Sequence, residues 1–338
     1  MRAVVWNGPG SELSLQDIPI PKAGLGEAVI EMRASGLCRS DLAIAKGKMP
    51  LKNWPLVLGH QASGVVYEVG EGVESFKVGD RVVSTPDLPC HRCYYCQMGR
   101  TNLCRNLKRL GFEVNGSDAE FVLAPEKSLI RLPDNIPFNQ GAISVDAVAS
   151  MYHALTGQAQ VRLGDKVVLL GIGGMGIQAI ELARLCGAST LVTSRYDKRL
   201  DFAKKLGADV LVNMTKQELA KEVMAFTSGK GADIVVDSIG GSGTMKQALD
   251  ILRPDGKIIV IGLNEPEFTM PYMGVVMLEA QMIGSRAATK QDVIETIELI
   301  AADKLHPVVS HSYPLSDFKA GFDALEKGEI MGRGVFIP

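Results

Sequence analysis

The chain has 338 residues, more than one hydrophobic core usually supports and close to the length of two domains. Hydrophobic residues make up 46% and charged residues 22%, which excludes a disordered chain, a coiled coil and a collagen. The 36 Lys and Arg against 38 Asp and Glu leave a net charge of −2, so no global field draws in nucleic acid or an anionic membrane.

From the N-terminus, Met1-Arg-Ala-Val-Val-Trp-Asn-Gly turns polar too soon for an export signal. The richest apolar stretch, 167–180, is broken by glycines and falls short of the roughly 18 residues of a spanning helix. A cytoplasmic protein with reduced thiols is expected, where clustered cysteines point to metal rather than to disulfides. The first 130 or so residues read as β structure. Short strands at 28–34, 64–70 and 80–84 are separated by glycine turns, a pattern of barrels and sandwiches.

Within this half, Cys90, Cys93, Cys96 and Cys104 form C-x2-C-x2-C-x7-C. Thiolates two residues apart on a tight turn reach one ion, and four complete a closed tetrahedral shell. A structural zinc is the expectation, against an iron–sulfur cluster or four unrelated thiols. His91 reads as an exposed loop residue rather than a ligand, and Arg92, Arg100 and Arg105 as a solvated face.

After about residue 148 the rhythm changes. Apolar strands at 166–170, 190–193, 210–212, 234–237 and 257–261 alternate with helical patterns at 177–186, 198–206 and 244–252. This alternation predicts a doubly wound parallel α/β sheet. Gly171-Ile172-Gly173-Gly174-Met175-Gly176 follows the first of these strands and opens a helix. In that context Gly171 serves the tight turn, Gly173 the approach of a pyrophosphate and Gly176 the close helix–strand packing. The free N–H groups of the helix start then face phosphate. At the end of the next strand, Ser194 stands where an NAD reader places a carboxylate, and Arg195 follows. A hydroxyl and a guanidinium suit a 2′-phosphate, so NADP is favoured over NAD. The alternative is that Asp197 faces the ribose, which would give NAD; Arg199 is a second phosphate contact or a solvated helix residue.

Gly36-Leu-Cys38-Arg39-Ser40-Asp41 and Gly59-His60-Gln61-Ala-Ser-Gly64 precede the cysteine lobe. With the lobe and the glycine loop in this order, the whole chain resembles the zinc-dependent medium-chain alcohol dehydrogenases. The resemblance implies a GroES-like β-barrel catalytic domain (1–147 and 287–338, with a structural zinc lobe at 88–106) and a Rossmann domain (148–286), with zinc in the cleft. It implies two zinc ions per chain and makes Cys38 and His60 ligands of the catalytic one. Asp146, in Ser144-Val-Asp146-Ala-Val-Ala-Ser150, matches the third ligand just ahead of the helix leading into the Rossmann domain; otherwise it is a helix N-cap. Ser40 would start a proton relay and Asp41 would fix the His60 tautomer. Arg39 and Arg333 match positions that reach the pyrophosphate, and Ser150 would face the nicotinamide. The family usually reads Gly-His-Glu, whereas Gln61 keeps the charge of the zinc shell neutral here. Ala43 stands where some relatives carry a relay histidine.

The expected activity is hydride transfer between NAD(P) and a secondary, cyclic or primary alcohol, with a polyol or sugar as the alternative substrate class. The rivals are a zinc-free enone or quinone reductase and a non-catalytic NADP(H)-binding protein. Trp54, Leu110, Met273 and Leu278 are candidates for the substrate pocket or for packing. The expected partners are the small-molecule alcohol or carbonyl substrate and further copies of the chain, in a homotetramer or homodimer, with no nucleic acid and no membrane.

Overall fold

A computed structural model describes every residue of the chain except Pro50. Two compact units are formed, one by Met1–Ala149 with Ala288–Pro338 and the other by Ser150–Ala287. Among the described residues no helix is long and apolar enough to cross a membrane.

The first unit is built round the strand Glu27–Gly36, whose Ala28, Val29, Ile30, Met32 and Ala34 are buried. One edge of this strand pairs antiparallel with Ala62–Val69. Its other edge takes Phe121–Pro125 along residues 27–31 and then Arg333–Ile337 at residues 35–36. Changing partner along one strand curves the sheet, which lets its inner face close over Ile30, Met32, Val66, Val82, Val122 and Leu129. Val309–Pro314 adds parallel to Arg333–Ile337, which brings the end of the chain into the same sheet. This is the β-barrel half of a two-unit α/β fold.

The second unit is a six-stranded sheet, parallel throughout. Its order across the sheet is Val210–Asn213, Ser189–Ser194, Lys166–Leu170, Ala232–Asp237, Leu252–Val260, Gln281–Gly284. Numbered by sequence this is 3-2-1-4-5-6, the doubly wound order that places a ligand crevice where the winding reverses, beyond the first strand. Lys166–Leu170 is central and buried on both faces, hence its unbroken apolar run. Helices Gln178–Leu185, Asp197–Lys205, Leu219–Phe226 and Ser242–Ile251 connect the strands. The sequence pattern located all of these helices except Leu219–Phe226, and each of the others within a few residues of its ends.

Residues 138–159 form one helical run in which two segments, Ser144–Val148 and His153–Ala159, adopt the wider π spacing. Asp146 therefore lies inside the run, not ahead of a helix or at its cap as the sequence suggested. A π turn admits one extra residue and re-aims the side chains around it, a device frequent at functional sites.

Candidate active site

Three elements of the first unit converge. Cys38 precedes the helix Arg39–Ala45, with its backbone extended at the N-cap. His60 follows Gly59, whose φ of +85° only glycine adopts freely. Asp146 projects from the π turn. The sulfur of Cys38, an imidazole nitrogen of His60 and a carboxylate oxygen of Asp146 lie within 4.8 Å of one another. His60 Nε2 is 3.6 Å from Asp146 Oδ2, and Ser40 Oγ donates to Cys38 Sγ at 3.0 Å. One sulfur, one nitrogen and one carboxylate oxygen suit zinc, and three ligands leave a position for substrate.

Neighbouring side chains fix this group. Asp41 Oδ1 lies 3.2 Å from His60 Nδ1, which turns Nε2 toward Cys38 and Asp146. Gln61, fully buried, donates from Nε2 to Asp146 Oδ2 at 3.0 Å. Burial pushes the Cys38 thiol up, but the Arg333 guanidinium and then His60 outweigh it and hold it at about 7. Burial pushes His60 down, whereas Asp41, Asp146 and Cys38 hold it well above its usual range. A cysteine or histidine ligand must be a thiolate or a neutral imidazole, so a cation bound here would displace these protons.

Arg333 lies at this ligand group. It is buried, with Nη1 donating to Leu37 O at 3.0 Å and Nη2 to Asp146 Oδ2 at 3.3 Å. The pairing of Arg333–Ile337 with the end of Glu27–Gly36 carries it beside the Asp146 carboxylate. Arg39 opens its helix exposed, close enough to help Lys46 and Lys48 hold the Glu326 carboxyl below its usual range.

Asp118 is a site residue that the sequence reading missed. It is buried, accepts from Ser35 Oγ at 2.6 Å through Oδ1, and has no partner for Oδ2 among the described residues. Burial and the nearby Asp41 push its carboxyl up to about 8. Its segment reads as a surface turn. It packs inward because Gly116 lets the backbones meet: a Cβ there would stand 1.9 Å from Gly59 O. Gly116, Ser117 and Asp118 donate their N–H groups to Val57, Gly59 and Leu58, so this segment braces the turn carrying His60.

The four lobe cysteines also gather, with their sulfurs within 4.8 Å of one another. Cys93 Sγ is 3.6 Å from Cys96 Sγ and 3.9 Å from Cys104 Sγ. Sulfurs at about 2.3 Å from a tetrahedral centre stand about 3.8 Å apart, so the set fits one zinc. Backbone N–H groups, that of Arg92 foremost, lower Cys90 to about 6, while burial and then Cys93 and Cys104 push Cys96 up to about 12. Four thiolates this close need a cation to ionise together. His91 is exposed at φ +55°, and Arg92, Arg100 and Arg105 are exposed.

In the second unit, Gly171 sits at φ +84° and its N–H donates to Thr193 Oγ1 at 3.0 Å. A Cβ on Gly176 would meet Gly171 O at 2.0 Å, whereas one on Gly173 would meet nothing within 4 Å. The loop is thus closed on its strand side and open at Gly173. Ile172 is buried, and Met175 is half-buried with Gly174. Ser238 Oγ, which the sequence reading missed, pins the turn by donating to Gly171 O at 2.7 Å. Ser150 is buried. Ser194 Oγ accepts from Tyr196 N at 3.1 Å, and Arg195 is exposed. Asp197, the alternative ribose acceptor, is taken up by Asn213 Nδ2 at 2.6 Å and Lys216 Nζ at 2.7 Å. Arg199 stands 5.6 Å from the Tyr196 ring. Of the pocket candidates, Leu110 belongs to the barrel core, Leu278 packs against the core of the parallel sheet, and Trp54 packs edge-on against Trp6. Met273 is exposed.

Comparison with known proteins places these features among relatives. Residues 24–134 match the alcohol dehydrogenase GroES-like domain, and residues 174–302 match the zinc-binding dehydrogenase domain. The chain is 34% identical to a D-arabitol-phosphate dehydrogenase of Enterococcus avium, over 97% of this chain and 95% of that one. It is 33% identical to an alcohol dehydrogenase of Geobacillus stearothermophilus, over 99% of each. The crystal structure of an NAD-dependent alcohol dehydrogenase superposes with a TM-score of 0.95 at 34% identity, each chain covered completely.

Proposed function

The chain belongs to the medium-chain zinc-binding alcohol dehydrogenase family, and from that premise we propose that it is a zinc-dependent oxidoreductase moving a hydride between an alcohol and NADP. The observation that carries the reading is the convergence of Cys38, His60 and Asp146, with the Ser40 hydroxyl beside them. A zinc-free enone reductase or a non-catalytic cofactor binder has no use for such a three-ligand set.

Cys38, His60 and Asp146 would hold one zinc, and Cys90, Cys93, Cys96 and Cys104 a second, structural one. When bound, zinc would supply Lewis acidity toward the substrate oxygen and the nicotinamide would accept the hydride. Ser40 Oγ receives the hydroxyl proton of the alcohol and passes it outward. Asp41 keeps His60 in the tautomer that presents Nε2. Gln61 and Arg333 donate to the same oxygen of Asp146 and restrain its carboxylate. The Gly171–Gly176 loop receives the pyrophosphate, with open space at Gly173. The engagement of Asp197 by Asn213 and Lys216 supports the preference for a 2′-phosphate read by Ser194 and Arg195. The substrate class is an alcohol or polyol. A homo-oligomer is supported by the sheet-edge strand Gln281–Gly284, where Met282 is exposed, and by exposed Tyr272, Val276 and Met277 nearby in sequence.

The test is a panel of secondary, cyclic and primary alcohols and polyols assayed with NADP+ and NAD+ in parallel. Alcohol-dependent reduction with a higher kcat/KM for NADP+, lost in Arg195→Ala but retained there with NAD+, is expected. A clear preference for NAD+ overturns the cofactor assignment, and no turnover with any alcohol overturns the activity.

A further inference from the structure

We propose that the first unit carries a second small-molecule site, a cavity of about 650 Å3 beside the cysteine lobe that takes an organic anion with a short apolar body. Its volume falls in the range of small-molecule pockets, roughly 300–1,000 Å3.

The wall is apolar for a reason visible in one strand. Phe121–Pro125 sends Val122 and Ala124 into the barrel core, so Phe121, Leu123 and Pro125 face outward. The outer face of a solvated antiparallel strand is ordinarily polar. Here it is apolar and half-buried, and it lines the cavity with Ile18, Val57 and Val114. An inorganic ion gains nothing from such a wall.

The rim is cationic. Arg92, Lys108 and Lys127 line the cavity, are exposed, and have no carboxylate partner among the described residues. Against them the lining sets the acid Glu27, whose Oε2 already accepts from Gly24 N at 3.2 Å, and Cys90, whose thiolate the lobe zinc would hold. Like charges at the mouth of a low-dielectric hollow repel one another and focus their field into it, which an anionic headgroup relieves. Cys38, His60 and Asp146 do not line this cavity, so the site is separate from the candidate active site.

Calorimetric titration of the zinc-loaded full chain tests the proposal, with octanoate as the probe and, as half-matched controls, inorganic phosphate and octan-1-ol, the alcohol titrated in the Cys38→Ser background that removes a proposed catalytic-zinc ligand. Octanoate is expected to saturate a single site, with each control binding about tenfold or more weakly, the scale of one lost charge or apolar contact of ~1.4 kcal/mol. The double variant Arg92→Glu/Lys127→Glu, altered only at exposed side chains, is expected to weaken octanoate by about tenfold or more, and Cys38→Ser to leave it unchanged. No saturable binding, equal affinity in the double variant, or loss of binding in Cys38→Ser would overturn the proposal.

Discussion

Asp41 contacts His60 through Oδ1, 3.2 Å from Nδ1, while its other oxygen accepts the Cys38 backbone N–H at 3.2 Å. One carboxylate thus holds a histidine ring and the turn of a cysteine, two of the proposed metal ligands. Asp41→Asn keeps the shape and removes the charge that orients the imidazole. Zinc affinity, measured by competition with a chelator, is expected to fall about 10–100-fold, as for other carboxylates behind ligating histidines. An unchanged affinity would mean that Asp41 only caps its helix.

Gln61 holds Asp146 through a neutral amide. Gln61→Glu would set a second carboxylate against Asp146 Oδ2 and add negative charge where the substrate hydroxyl loses its proton. Nearby negative charge disfavours that ionisation. The kcat at pH 7 is expected to fall roughly threefold to tenfold and to recover as pH rises. A profile that is unmoved, or displaced to lower pH, would contradict this role.

Asp118 gives a pH dependence of stability with a definite sign. Its carboxyl is held at about 8, whereas an unfolded aspartate titrates near 3.9. Between those values the native state binds more protons than the unfolded state, so this group's contribution to stability falls as pH rises from about 4 to about 8. An amide in its place would be neutral throughout. Asp118→Asn is expected to match the parent near pH 4–5 and to melt roughly 2–4 °C or more above it at pH 9, the scale of at least 1 kcal/mol in a folded unit of the size of Met1–Ala149 with Ala288–Pro338. Parallel melting curves across the whole range would refute the elevated titration.

The glycine loop makes a paired prediction. Alanine at Gly176 would drive its Cβ to 2.0 Å from Gly171 O, a backbone atom that cannot yield cheaply. Gly176→Ala is therefore expected to lower stability by about 1–3 kcal/mol. Alanine at Gly173 meets open space in the protein. Gly173→Ala is expected to leave the melting temperature unchanged and to raise the KM for the dinucleotide roughly tenfold, because the methyl stands where the pyrophosphate would come. Thermal melts and cofactor titrations of the two variants check this directly.

The parallel sheet was legible because its signals are local. Val167–Leu170 is unbroken and apolar because it is central and buried on both faces, and the glycine loop directly follows it. The barrel half was less legible, since its pairings are remote. No local pattern says that Arg333–Ile337 returns to residues 35–36, and that return places Arg333 on Asp146. The π turn at Ser144–Val148 has no sequence signature, so Asp146 entered the ligand set by resemblance rather than by periodicity. Asp118 was hidden because a Gly-Ser-Asp segment has the composition of a surface turn, and only the close approach of Gly116 to Gly59 turns it inward.

On the proposed reading the first unit holds a catalytic zinc on Cys38, His60 and Asp146 in addition to the zinc of the cysteine lobe. Metal analysis of the purified chain beside its Cys38→Ser/His60→Ala variant decides it. Two zinc ions per chain in the parent and one in the variant are predicted. One zinc in the parent, or two retained in the variant, would contradict it.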